Sequence, residues 1–292
     1  MITIRDTLLD LLFGTRNKGA FNSETSPCHT AIDVNAAVAA TILALKKEAA
    51  ITDAGVDYAT IEGSEAFAQL RSTLYPCLAD FDPALLGSPD EKKVFWINLY
   101  HLLTIDAVLH LGIQRSVTEG WLGVVRFFRS AAYIVGGLRY SLEDIEHGIL
   151  RANRGLMFIP GGQFGKDDPR TAHCLDYLDA RIHFALNCAS RSCPPIAYYS
   201  TDRLDAQLDL SAAHFIDSET QMDKSGVALH ISRIFRWYQK DFGGKYGVLE
   251  WIHRYLPEKD MRRILIDHFD YKTMTVIKPY DWRLNGLTEG EV

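Results

Sequence analysis

Residues 91 to 112, "EKKVFWINLYHLLTIDAVLHLG", limit the fold more than any other stretch. They are apolar almost all round a helical projection and stop at Gly112, so this helix has no face to give to water. It must be the buried centre of a domain, with other elements packed about it. Its polar residues then need partners, and Asn98 and His101, three apart, share one face.

The flanking segments supply those elements. "AIDVNAAVAATILALKKEAA" (31–50) is Ala-rich with helical apolar spacing and lysines in its last turns, where a helix dipole favours them. "SEAFAQLRSTLYPCLADF" (64–81) predicts an amphipathic helix that ends near Pro76. "YIVGGLRYSLEDIEHGILR" starts like a strand and a Gly-Gly turn, then shows Ser141 and Asp144, the pattern of a capping box, so a helix is expected from Leu142. "ISRIFRWYQKDFGG", "YGVLEWIHRYLP" and "KDMRRILIDHF" predict three more helices, and "TMTVIKPYDW" a closing strand. The sum is an α+β fold, a mostly helical single domain with a small, largely antiparallel sheet. Residues 1–50 are expected to form an N-terminal helical extension and residues 51–292 the domain.

Composition narrows the function classes. Of the 292 residues, 47% are hydrophobic and 23% charged, which suits a chain with a real core. The net charge of -6 is spread evenly, with no Lys/Arg stripe for phosphates, so nucleic acid is not an expected partner. No apolar run reaches the length of a membrane span, and the N-terminus lacks the long apolar stretch of a secretory signal. Five cysteines, few and odd in number, argue against a disulfide framework and suggest a reducing, cytoplasmic setting. There is no phosphate loop and no dinucleotide fingerprint, so no cofactor is expected. Cys188, Cys193 and His183 lack a second Cys/His pair nearby, so no metal is expected either.

The unusual chemistry gathers in two places. If "IHFALN" (182–187) is an extended strand, Ile182, Phe184 and Leu186 face the core while His183 and Asn187 share the other side. The loop that follows holds Cys188, Ser192 and Cys193. Cys193 precedes two prolines and fits the cap of a helix starting at Pro194, whose N–H groups would favour a thiolate. Cys188 falls on the core-facing parity and reads as the less reactive thiol. The second place is the helix after Ser141, where Glu146 falls in the apolar sector and His147 at its edge. A carboxylate there must be paired, with Arg181, Arg191 or a histidine.

Together "FWINLYHLL", "YSLEDIEHGILR", "RIHFALNCASRSCPP", "ISRIFRWYQKDFG" and "YDWRLN" resemble, in the right order, the bacterial and plant family called domain of unknown function 547. The family usually has Asn where this chain has His101, and its bacterial members often look exported. The resemblance implies no activity, but its blocks coincide with Asn98, Glu146, His147, His183, Cys188 and Cys193. One shared site is the expectation: a cysteine-dependent hydrolase or acyltransferase acting on a peptide- or amide-like substrate. Cys193 would be nucleophile, His183 or His147 base, and Glu146 or Asn187 the orienting group, with Asn98, Cys188 and Ser192 also lining the site. The alternative is a non-catalytic module that grips a peptide terminus or an acidic small molecule with the same polar cluster.

Overall fold

The computed structural model describes residues 19–29, 32–48, 50–52, 54–119, 123–156, 159–224, 228–256 and 274–287. The helix expected over 259–269 and residues 1–18 of the expected N-terminal extension lie outside them. The chain divides into two compact units: the described parts of Met1–Asp179, Leu186–Leu204 and Trp282–Val292, and those of Ala180–Ala185 and Asp205–Asp281.

The larger unit is built around the expected central helix. Helix α1 (Val34–Lys47) buries Val38, Ile42 and Leu45 and packs on α2 (Pro89–His110). Ser88 caps α2 by accepting from the Glu91 N–H at 3.1 Å, and Pro89 takes the first turn, where its missing N–H costs nothing. Gly112, at φ 63°, ends it. Every residue from Lys93 to Val108 is buried, and several polar ones are tied down, although Thr104 Oγ1 and Trp96 Nε1 have no hydrogen-bond partner among the described residues. Lys93 pairs with Asp179 at 3.0 Å. Asp106 accepts from the hydroxyls of Tyr75 and Tyr133 and from Arg71. Burial pushes its carboxyl above the usual range, against the pull of Tyr133 and Arg71.

The helix expected to end near Pro76 instead runs through it. Glu65–Gln69 is α-helical, Leu70–Leu74 is a π-turn, and Tyr75–Asp80 is α-helical again. The wider π-turn absorbs the lost N–H and the ring clash that would break a regular helix. The expected strand and Gly-Gly turn form, and a second strand, not expected from the sequence, completes a hairpin: β1 (Ala132–Val135) pairs antiparallel with β2 (Leu138–Ser141). Its turn residues Gly136 and Gly137 have φ of 58° and 74°, which only glycine adopts without strain.

The smaller unit has helix α3 (Leu204–Glu219, in this unit from Asp205) and a mixed sheet. Strand β3 (Gln221–Met222) pairs antiparallel with β4 (Ala228–Ile231), and β4 pairs parallel with β5 (Met274–Ile277). Its core gathers Phe184, Phe215, Leu229, Phe235, Phe242 and Ile252. The whole is mostly helical α+β, as expected. Among the described residues no helix is long and apolar enough to cross a membrane.

Candidate functional site

The stretch "IHFALN" is not extended. Ala180–Phe184 is a 3-10 turn, and every residue from Ile182 to Asn187 is buried. Alternation over six residues cannot separate a strand from a short helical turn, and here both sides meet protein. His183 therefore lies in the core of the smaller unit. Its Nε2 is 2.9 Å from Asp241 Oδ2, its ring stacks on Tyr238 with centroids 3.7 Å apart, and both side chains of the ion pair are at most 2% exposed. Asp241 went unrecognised in the sequence, although it sits inside the "RWYQKDFG" block.

The cysteine loop belongs to the larger unit, and it corrects two expectations. Cys188 and Cys193 are joined as a disulfide, as are Cys28 and Cys77, 49 residues apart; Cys174 is the free cysteine. An odd total leaves one thiol over and says nothing against pairing of the rest. Nor does a helix start at Pro194, because Pro195 drives the residue before it out of the helical region. Cys193 closes a turn instead, donating its N–H to Ser190 O at 3.0 Å, while Ala189 takes a left-handed φ of 63°. The Cys188 N–H points at Cys193 Sγ, 3.1 Å away.

Asn187 holds this loop from beneath. Its Nδ2 donates to Pro194 O at 2.6 Å, and its Oδ1 accepts from the Ala189 N–H at 2.8 Å and from Asn285 Nδ2 at 3.3 Å. Asn285 in turn accepts from the Tyr58 hydroxyl at 2.7 Å. The C-terminal segment runs alongside, with Arg191 N–H donating to Arg283 O and Asn285 N–H to Ala189 O. Arg191, an expected partner of Glu146, instead directs its Nε to Leu284 O at 3.4 Å. Arg181 is engaged in the smaller unit by Asp205 and Asp209.

A cavity of about 220 Å³ opens beside the loop, lined by Thr52, Gly55, Asn187, Ser190, Arg191, Cys193, Pro195 and Asn285 among others, with no carboxylate among them. Ser190 is fully buried, and its hydroxyl has no hydrogen-bond partner. Asn187 Oδ1 is saturated with two donors, whereas Asn187 and Asn285 each keep one N–H unspent. With the Arg191 guanidinium, the lining side chains leave an excess of donors. Such a set suits an oxyanion. Ser190 and Asn285 were not singled out from the sequence, although "CASRS" and "YDWRLN" contain them. Ser192 sits half-buried in the same loop.

Asn98 and His101 of α2 hold the segment that follows. Asn98 Nδ2 donates to Tyr199 O at 2.9 Å, its Oδ1 accepts from the Tyr199 N–H at 3.1 Å, and His101 Nδ1 meets Ala197 O at 3.1 Å.

Glu146 and His147 lie on the helix after the hairpin. The capping box forms as expected: Ser141 Oγ accepts from the Asp144 N–H at 3.1 Å, and Asp144 Oδ2 accepts from the Ser141 N–H at 3.0 Å. From Asp144 to Leu150 the helix is π, a widened form common at functional sites. Glu146 is 8% exposed, accepts from the Tyr100 hydroxyl at 3.2 Å and lies 3.9 Å from His147 Nδ1. Burial beside a histidine is as expected. Arg151 Nη1 is 2.9 Å from His147 Nδ1 and also donates to Gly155 O. Arginine can only donate, so His147 Nδ1 carries the lone pair and Nε2 the proton.

Among the described residues no group of three or more His, Cys, Asp or Glu could hold a metal ion. No curated protein and no solved structure matches the chain. Asn98, Glu146, His147, His183 and the cysteine loop all fall within residues 86–216, and that span matches the family model described as protein of unknown function, DUF547.

Proposed function

We propose that this domain is a ligand-binding module whose cysteine loop takes the carboxylate of a small acid or a peptide terminus. The observation that carries the reading is the buried Ser190 hydroxyl, unpartnered and lining a cavity where Asn187, Asn285 and Arg191 add further donors and no carboxylate competes. A buried hydroxyl without a partner costs roughly 1–3 kcal/mol, which a bound oxyanion would offset. Asn98 and His101 serve as positioning residues for the segment behind the loop. The pair of disulfides supports an oxidising compartment over the cytoplasmic one expected from cysteine number.

The test is calorimetric titration of the oxidised full-length protein with N-acetylglycine, which carries a peptide-like terminus, and with its neutral amide. The acid should bind and the amide should not, and Ser190→Ala should weaken the acid about tenfold. Equal binding of acid and amide, or indifference to Ser190→Ala, would remove this reading.

A cysteine-dependent hydrolase or acyltransferase is the second reading, favoured by the Cys188 N–H aimed at Cys193 Sγ, which would stabilise a thiolate once the loop is reduced. It needs Cys193 released from Cys188 and a base with an open lone pair, whereas His147 Nδ1 is occupied by Arg151. Ester or amide hydrolysis that appears only after reduction and is lost in Cys193→Ser would favour it over the binding module.

A further inference from the structure

A second and larger cavity of about 740 Å³ lies in the same unit, and Val56 and Arg191 line both it and the small pocket. Its volume falls in the range of small-molecule sites. One side is apolar: Val108 and Leu109 from the C-terminal end of α2 and Ile113 just beyond it, with Leu284 and Leu287 from the closing segment. The charged residues on its wall are Arg115, Arg191 and Arg283 against Asp57 and Glu62. Arg115 is drawn toward Glu119 at 3.7 Å. The Asp57 carboxylate is spent on a helix cap, accepting from the Thr60 N–H at 3.0 Å and from Thr60 Oγ1 at 2.7 Å. Arginine and carboxylate thus share a wall whose remaining side chains are largely apolar, with Tyr58 and Gln114 among them.

We infer that the ligand is a straight-chain carboxylic acid, its carboxylate in the small pocket at Ser190 and Arg191 and its apolar chain in the larger cavity along Leu109, Ile113 and Leu287. This rests on the carboxylate-binding reading above and adds the class of acid. A sugar or a nucleotide would leave its hydroxyls against apolar side chains, and a neutral lipid would make no use of the Arg191 guanidinium. An acid with an apolar chain meets both walls at once.

The experiment is calorimetry of the oxidised full chain with butyrate, hexanoate, octanoate and decanoate, each below its micelle concentration, and with decanol. The dissociation constant should tighten about fourfold per added methylene, and decanol should bind at least tenfold more weakly than decanoate. Leu109→Asp should abolish the gain with chain length while leaving N-acetylglycine binding unchanged. Ile113→Ser, a milder change at the mouth of the same wall, should reduce that gain should Leu109→Asp fail to fold. A flat series with N-acetylglycine still bound would overturn this inference alone, and decanol binding as tightly as decanoate would overturn the selection for an acid. Failure of every acid, N-acetylglycine included, would remove both this inference and the reading beneath it.

Discussion

The Asn98 side chain reads the backbone of Tyr199 at both of its polar groups, accepting from the N–H at 3.1 Å and donating to the carbonyl at 2.9 Å. A side-chain amide thereby stands in for the neighbouring strand that this buried segment lacks. Asn98→Ala leaves two buried backbone groups unsatisfied and should lower stability by about 3 kcal/mol in urea unfolding. Asn98→Asp keeps the acceptor but loses the donor and buries a charge, so it should be at least as damaging. A near-neutral Asn98→Ala would show that the 197–199 segment finds other partners.

Acid should loosen the larger unit through Asp144. Burial works to raise this carboxyl, but Arg170 at 3.2 Å, the Ser141 N–H and Gln163 outweigh it and hold it below the usual range. Asp168 is held low in the same way by Arg170. A carboxyl with a depressed folded-state pKa stabilises above its unfolded pKa of about 4, and that contribution fades as pH falls through the folded value. Stability should thus be flat near neutrality and fall below about pH 4. Asp144→Asn should be less stable at pH 7 and show a smaller loss between pH 7 and pH 3; an unchanged loss would mean that other groups set the acid limit.

Thiol counting separates the paired cysteines from the remaining one. In denaturant without reductant, the oxidised protein should titrate a single thiol, Cys174, out of five cysteines. In the native fold that thiol should alkylate slowly at pH 7, because burial above all, and then Asp168, push its pKa up to about 11. Peptide mass spectrometry should find 28 linked to 77 and 188 linked to 193. Labelling of Cys193 without reductant would return weight to the thiol-hydrolase reading.

Gly55 guards the pocket wall. A Cβ there would sit 2.5 Å from Asn285 O, the carbonyl that accepts the Val56 N–H at 3.0 Å. Gly55→Ala must push the Asn285 segment aside, which should cost about 1–3 kcal/mol and weaken N-acetylglycine binding more than it lowers the melting temperature of the unliganded protein would suggest. Unchanged binding would mean that Asn285 takes no part in the site.

Local pattern alone determined a good deal about this protein. The all-round apolarity of 91–112 required a buried central helix, the two glycines at 136 and 137 required a tight turn, and Ser141 with Asp144 required a capped helix start. Each follows from interactions within a few residues, whose physics needs no knowledge of the rest of the chain. Glu146 as a buried, partnered carboxylate was legible from α-helical phase, although the segment is a π-helix in which every residue from Asp144 to Leu150 is buried. What Cys193 does was not legible. Its partner Cys188 and the second bridge, Cys28 to Cys77, are matters of where the chain brings sulfurs together, and no count of cysteines encodes that. His183 had the same ambiguity: six alternating residues suit a strand or a turn, and burial on both sides came from Tyr238 and Asp241, more than fifty residues away. Asn187, Ser190 and Asn285 become a donor-lined pocket only because the closing segment lies along the cysteine loop. A hydroxyl's lack of a partner is a property of its surroundings, so tertiary packing alone could decide it.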